Sequence, residues 1–206
     1  MEGNPCTDGY NWPRINRWIH HWSSSGRNSN IRFCRSGWCS RITLWRLLDD
    51  VAYNDILVSS CAKYGIAAFT GDGVDSNVMV AATKAIKKTD GIGIPTVKPW
   101  NLDVIAGKME MVHESKALAV AMDIDAAGLP FLKNMEPPAG SKTVEELRQI
   151  AKMAGTPFIV KGVMTVKGAL KAKEAGASAI VVSNHGAVYW ISARRQQKFW
   201  KRLHWQ

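Results

Sequence analysis

The sequence predicts an α/β fold, specifically a partial TIM (β/α)8 barrel of about five βα units with atypical N- and C-terminal extensions. Between Tyr53 and Gly186, apolar runs typical of buried strands alternate with segments of helical spacing, at a repeat of roughly 25–35 residues. Polar residues follow these strands where each one ends, and such ends form the mouth of a barrel, where active sites lie. A doubly wound sheet would also bind ligands there, but no Gly-rich phosphate-binding fingerprint follows an early strand, which favours the barrel.

The predicted strands are short, mostly apolar runs. They span 66–69, 92–97, 118–124, 157–160 and 179–182. Runs without polar alternation are expected for strands covered on both faces, as in a parallel sheet. The polar residues that gather at their ends are, in chain order, Asp72, Lys98, Asp125, Lys161, Ser183 and His185.

Helices are predicted between the strands from apolar spacing and from cap residues. The predicted N-caps are Asn54, Asn101, Thr143 in a capping box with Glu146, and Thr165, while Gly65 and Gly176 are expected to end the first and last helices. The residues expected to face inward are Ile56, Leu57, Cys61 and Tyr64, then Val78, Met79, Ala82 and Ile86, then Leu102, Ile105, Met109 and Val112, then Leu147, Ile150 and Ala154.

Charged and aromatic residues divide the chain into three segments. Residues 49–187 contain 15 Lys and Arg and 15 Asp and Glu, so the net charge of +10 lies entirely in the two ends. Eight of the nine Trp also lie outside this middle segment. We therefore interpret 49–187 as the partial barrel. We expect residues 1–48 to form an Arg-, Trp- and Ser-rich arm that is disordered or out of frame, and 188–206 to form a basic, Trp-rich tail that is out of frame.

Composition argues against several other classes of protein. The four Cys give no disulfide framework, no apolar run is long enough to span a membrane, and the N-terminus lacks the apolar core of a secretory signal, so a cytoplasmic location is expected. Cys34 and Cys39, with His20 and His21, do not have the usual zinc spacing, and no metal site is predicted. The basic ends contain no recognised nucleic-acid-binding module, and no nucleic-acid partner is predicted.

Three residues at strand ends are candidates for chemistry. Lys161 ends an apolar strand, where its cation could stabilise an anionic ligand or could simply reach solvent. His185 precedes Gly186 and could act as a general base near neutral pH, or could only cap the strand through hydrogen bonds. Asp125 could orient His185, or could cap a turn.

Two motifs resemble one enzyme family. Pro-Phe-Ile-Val-Lys-Gly at 157–162 and Ile-Val-Val-Ser-Asn-His-Gly at 180–186 are similar to sequences of the FMN-dependent α-hydroxy-acid oxidases and dehydrogenases, which include glycolate oxidase, lactate oxidase and flavocytochrome b2. The resemblance extends over Tyr53 to Gly186. It implies FMN as the cofactor, a small 2-hydroxy acid as the substrate, its oxidation to the 2-oxo acid, and a homo-oligomer, since relatives commonly assemble as tetramers.

The same resemblance implies a role for each of four residues. Lys161 would hold the N1/O2 edge of the flavin and stabilise its reduced form, and Ser183 would contact the ring system. His185 would accept the proton as the substrate α-carbon is oxidised, and Asp125 would support that histidine. Asp123 falls where many relatives have a flavin-contacting Thr, so that role is not carried over.

The resemblance ends directly after His185. The family continues His-Gly-Gly-Arg-x-Leu-Asp, where the Arg binds the substrate carboxylate, but residues 185–191 read His-Gly-Ala-Val-Tyr-Trp-Ile. A one-base shift of the codons for 187–191 allows Gly-Arg-x-Leu-Asp, which is why we interpret the tail as out of frame. We expect the first strand and the last two strands of the barrel to be missing, and the chain to perform the reaction poorly or not at all. The alternatives are a non-catalytic fragment of a flavin barrel, another FMN-dependent TIM-barrel oxidoreductase, or a basic nucleic-acid-binding protein.

Overall fold

The structure, a computed structural model, describes residues 51–128, 132, 134–136 and 138–183, together with the backbone of residues 32–34 and 50. Helices and strands alternate through most of this part of the chain. The elements are β1 (Arg32–Cys34), α1 (Asp50–Lys63), β2 (Ile66–Phe69), α2 (Ser76–Lys88), β3 (Gly93–Ile94), β4 (Thr96–Val97), α3 (Leu102–Ser115), β5 (Val120–Asp123), α4 (Val144–Ala154), β6 (Phe158–Lys161), α5 (Val166–Glu174) and β7 (Ala179–Val181). A short 3-10 helix, Ile124–Gly128, directly follows β5.

The paired strands are parallel and adjacent in the order in which they occur along the chain. One sheet contains β1, β2 and β3, and the other contains β4, β5, β6 and β7. Pro95 separates β3 from β4 because it has no N–H to donate. Its carbonyl still accepts a hydrogen bond from Ala121 N at 2.9 Å, while Ile94 O accepts one from Thr70 N at 3.1 Å. The predicted strand 92–97 is therefore one interrupted strand, which contacts β2 on one side and β5 on the other.

β1 lies within the segment that the sequence analysis placed outside the barrel. The backbone of Arg32, Phe33 and Cys34 pairs in parallel with residues 66, 67 and 68 of β2. The structure therefore has a strand before β2, where the sequence analysis expected the first barrel strand to be missing. Three residues of mixed polarity give too short a hydrophobic pattern to predict a strand from sequence.

Three of the four predicted N-caps are confirmed. Cap side chains satisfy backbone N–H groups that have no partner within the helix, and so they fix where a helix begins. Thr143 and Glu146 form the predicted capping box at the start of α4. The side chains of Asn101, Thr143 and Thr165 accept backbone hydrogen bonds from Val104, Glu146 and Gly168, respectively.

The prediction for the first helix was wrong in its start and in part of its inward face, since Cys61 is buried and Leu57 packs against the core as predicted. α1 begins at Asp50, so Asn54 lies inside the helix, and its buried amide donates to Val78 O of α2 at 3.3 Å. Ile56 and Tyr64 are exposed, whereas Val58 is fully buried. A polar residue inside a helix can be satisfied by a tertiary contact, and this contact is not visible in the local pattern.

The two faces of the β4–β7 sheet differ in what covers them. Val97, Met122 and Val160 are fully buried in a cluster with Ile105 and Ile150 of the helices. Side chains alternate along a strand, and register partners lie on the same face. The other face, here called the inner face, therefore carries Thr96, Ala121, Asp123, Ile159 and Lys161.

Among the described residues, no helix is long and apolar enough to cross a membrane.

Candidate active site

Asp123 and Lys161 form an ion pair at the carboxyl end of the sheet. Each is the last residue of its strand, β5 and β6, and the two are register partners on the inner face. Lys161 Nζ lies 2.5 Å from Asp123 Oδ1, and the side chains are only 19% and 14% exposed, respectively. The predicted position of Lys161 at a strand end is therefore confirmed, and its ammonium group is held by a carboxylate.

The sequence analysis did not predict this ion pair. Asp123 is a charged residue that interrupts the apolar run 118–124, and a charge in such a position needs a counter-charge when it is buried. That signal was visible in the sequence. The partner was not, because only the register of β5 against β6 places Asp123 opposite Lys161.

Asp72 connects two of the predicted strand-end segments. Its carboxylate accepts hydrogen bonds from Trp100 Nε1 at 2.7 Å, Lys108 Nζ at 2.8 Å and the backbone N of Lys98 at 3.0 Å. The Asp72 side chain is fully buried, and that of Lys108 is 10% exposed. Lys98 Nζ also contacts the backbone oxygen of Asp72. These bonds fix the loop after β2 against the loop after β4.

Asp125 lies in the 3-10 helix that follows β5, two residues beyond Asp123. Its side chain packs against Gly162, the residue that follows Lys161. Gly162 has a φ of +92°, a conformation that side-chain-bearing residues rarely adopt. The structure thus brings the predicted residues Asp125 and Lys161 to the same end of neighbouring strands.

Ser183 lies two residues after β7, which pairs with β6. The residue is 9% exposed, and within the described part of the chain its hydroxyl has no hydrogen-bond partner. The buried hydroxyls of Thr70, directly after β2, and Thr96, on the inner face, have none there either. Buried hydroxyls normally have a partner. These three are therefore positions where a bound ligand could supply one.

His185 lies outside the described residues, as do the side chains of the arm 1–48 and the whole of the tail 188–206. The chain leaves β7 at the same end of the sheet as Lys161, four residues before His185. Among the residues that the structure describes, no group of three or more His, Cys, Asp or Glu could hold a metal ion. The side chains of Cys34, Cys39, His20 and His21 are not among those described.

Comparison with known sequences gives matches of two kinds. The family model for FMN-dependent dehydrogenase matches residues 47–198, which includes part of the tail 188–206. The chain is 56% identical over 46 residues to the peroxisomal (S)-2-hydroxyacid oxidase GLO4 of Arabidopsis thaliana, which is 22% of this chain and 12% of the oxidase. It is 50% identical over 44 residues to the pre-mycofactocin synthase of Mycobacterium tuberculosis, which is 21% of this chain and 11% of the synthase.

Solved structures of flavoenzymes have the same fold. A lactate oxidase of Pediococcus acidilactici superposes with a TM-score of 0.58 at 15% identity, over 84% of this chain and 52% of the oxidase. The flavin-binding domain of flavocytochrome b2 from baker's yeast gives 0.60 at 17% identity, over 71% of this chain and 41% of that one. These similarities confirm the predicted α/β fold, a part of a TIM barrel. The chain spans about half of the solved structures that it matches.

Proposed function

Because the chain belongs to the family of FMN-dependent dehydrogenases, we propose that its barrel segment binds FMN and oxidises a small 2-hydroxy acid to the 2-oxo acid. The observation that carries this proposal is the position of Lys161. A largely buried ammonium group at the carboxyl end of β6, on the inner face, can stabilise negative charge that develops on a ligand in the mouth. β7, which leads to Ser183 and His185, is the neighbouring strand.

The described residues fit a flavin. Lys161 offers a cation to the electron-rich edge of the ring, and Ser183 offers a buried hydroxyl that lacks a partner in the described part of the chain. The hydroxyl of Thr96, on the inner face of β4, likewise has no hydrogen-bond partner in the described part of the chain. When bound, FMN supplies a two-electron acceptor, which no amino-acid side chain provides.

The protein's own residues supply binding, orientation and proton transfer. We assign to His185 the removal of the substrate proton, since an imidazole is half protonated close to neutral pH. Asp125 is assigned the role of stabilising the imidazolium that results. Its position after β5, packed on Gly162 beside Lys161, supports this assignment.

FMN binding tests the first half of the proposal. Purified chain is titrated into FMN, and quenching of flavin fluorescence gives the Kd. Lys161→Met is expected to weaken binding by about ten- to a hundredfold, since a charge-assisted contact contributes on the order of 1.5–3 kcal/mol. Lys167→Met, in the first turn of α5, is the matched control and is expected to leave the Kd unchanged. Absence of FMN binding by the parent chain would contradict the proposal.

Anaerobic bleaching of bound flavin by 2-hydroxy acids tests the second half. We expect slow bleaching by the parent chain, because Val188 stands where the family resemblance implies the carboxylate-binding Arg. The double variant Ala187→Gly/Val188→Arg is expected to bleach at least about tenfold faster at low substrate concentration. His185→Asn should retain FMN and lose the bleaching.

The second candidate is another FMN-dependent reaction on the same barrel. The 50% identity over 44 residues to a pre-mycofactocin synthase favours this candidate. The chain is thus similar, over a stretch of about the same length, to a protein that is not named a hydroxyacid oxidase. FMN binding without bleaching by any 2-hydroxy acid, even in the double variant, would favour this candidate or a non-catalytic flavin-binding chain.

Location and assembly remain part of the proposal. We propose a cytoplasmic location and a homo-oligomer, the latter from the family resemblance. Two of the curated relatives are named peroxisomal enzymes, so localisation of a tagged chain in its native cell is the relevant test. Sedimentation velocity of the FMN-loaded chain tests the oligomer, which is contradicted by a single monomeric species at micromolar concentration.

A further inference from the structure

The ion pair between Asp123 and Lys161 differs from an ordinary surface pair. Lys88 and Asp55 also form an ion pair, at 2.8 Å, but their side chains are 66% and 51% exposed. Lys161 and Asp123 are 2.5 Å apart and 19% and 14% exposed. Charges interact more strongly where less water screens them, so Asp123 acts on Lys161 much more than Asp55 acts on Lys88.

The ion pair has a geometric basis in the sheet. Asp123 and Lys161 are register partners on the inner face, and each is the last residue of its strand. The ammonium group of Lys98, on the strand-end segment before them, contacts the backbone oxygen of Asp72. Asp123 therefore places a negative charge directly at the ammonium group of Lys161.

We propose that Asp123 is a positioning residue that holds the ammonium group of Lys161 and weakens the electrostatic attraction between that cation and a bound flavin. This inference rests on the proposed function, in which Lys161 faces the flavin. An ammonium group that already donates to a carboxylate has fewer protons to donate elsewhere. The negative charge of Asp123 also opposes further negative charge in the mouth, so it disfavours the reduced, anionic form of the flavin.

The first measurement needs no flavin. FMN-free protein is treated with an amine-acylating reagent at fixed pH, and the modification rate of each lysine is followed by mass spectrometry. Lys161 is expected to react at least about fivefold faster in Asp123→Asn, because the pair that holds it is lost. Lys88 in Asp55→Asn is the matched reference and should change by less than about twofold, as an exposed pair contributes little.

The second measurement uses FMN-loaded protein and sulfite, which is found bound in a flavocytochrome b2 structure similar to this chain. Sulfite binding, followed by the loss of flavin absorbance, adds negative charge to the flavin and so reports the local charge. Asp123→Asn is expected to bind sulfite about tenfold more tightly than the parent chain. Asp123→Glu, which retains the charge, should stay within about twofold of the parent. Asp123→Thr serves as a second neutral variant if Asp123→Asn does not fold.

The outcomes separate this inference from the proposed function. Parent chain that binds no FMN overturns the proposed function and the flavin part of the inference, and lysine acylation then decides whether Asp123 controls Lys161. FMN binding with unchanged sulfite affinity in the neutral variants overturns the inference alone. If the ion pair is purely structural, the neutral variants will have a lower free energy of unfolding but the same sulfite affinity as the parent chain. That result also counts against the inference.

Discussion

Gly162 and Asp125 are packed so closely that the carboxyl-bearing side chain fills the space of a missing Cβ. A Cβ built on Gly162 would lie 2.8 Å from Asp125 Cβ, closer than real Cβ contacts, and the φ of +92° already excludes most other residues. A glycine directly after Lys161 therefore lets Asp125 approach the end of β6. Both residues of the Lys-Gly pair in the sequence motif therefore have a structural role: Lys161 pairs with Asp123, and Gly162 leaves room for the side chain of Asp125.

Gly162→Ala is expected to destabilise the protein by about 1–3 kcal/mol, because the new methyl group meets Asp125 and the backbone conformation is strained. Urea unfolding followed by circular dichroism measures the change. Gly107→Ala is the matched control: Gly107 is exposed within α3, nothing lies within 4 Å of an added Cβ, and alanine should stabilise the helix by about 0.5–1 kcal/mol. Equal effects of the two substitutions would show that Asp125 does not occupy the described position.

Asp72→Asn is expected to cost about 3–5 kcal/mol, since Lys108 would lose its counter-charge in a buried site. Asp55→Asn, which breaks the exposed pair with Lys88, should cost less than about 1 kcal/mol. The double variant Asp72→Asn/Lys108→Met should recover part of the loss, because it removes the unpaired charge as well. Strict additivity in this double-mutant cycle, measured by urea unfolding, would contradict the pairing.

The capping box of α4 predicts a specific dependence of stability on pH. Hydrogen bonds from the backbone N–H and the hydroxyl of Thr143 lower the pKa of Glu146 below its ordinary value of 4.5. A lowered folded-state pKa adds stability that is complete above the unfolded-state pKa and is lost as the pH falls through the folded-state pKa. Glu146→Gln should therefore flatten the fall in the free energy of unfolding on the acid side of pH 4.5.

The control for this effect removes an acidic residue that is not part of a cap. Glu110→Gln, on the exposed face of α3, should leave the acid-side slope as it is in the parent chain. Thr143→Ala should lower the free energy of unfolding by about 1 kcal/mol at neutral pH and also reduce the slope. A slope that is unchanged in both cap variants would refute the role of the capping box.

Local patterns were sufficient for the parts of the fold that depend on neighbouring residues. The caps Asn101, Thr143 and Thr165 act within their own helices, and their sequence signals were reliable for that reason. Asn54 was misread as a cap because its hydrogen-bond partner, Val78, is 24 residues away. Tertiary contacts of this kind leave no mark on a local pattern.

The candidate site shows the same division. That Lys161 ends a strand could be read from the apolar run before it, and the structure agrees. That Asp123 faces Lys161, and that Asp72 binds Trp100 and Lys108, depends on strand register and on loops that meet in three dimensions. These three contacts join residues that are 28 to 38 positions apart in the sequence.

Ser183→Ala separates stability from ligand binding. Replacing a buried hydroxyl that makes no hydrogen bond within the described chain should leave the free energy of unfolding unchanged or raise it slightly, because alanine has no polar group to desolvate. The same change should weaken FMN binding by about fivefold, since a hydrogen bond of about 1 kcal/mol would be lost.

Ser115→Ala is the matched control. Ser115 is also buried but donates to Val112 O at 2.7 Å, so its loss should cost about 1 kcal/mol of stability and leave FMN binding unaffected. If Ser183→Ala instead destabilised the FMN-free protein as Ser115→Ala does, the hydroxyl would have a structural partner, and its assignment to the flavin would fail.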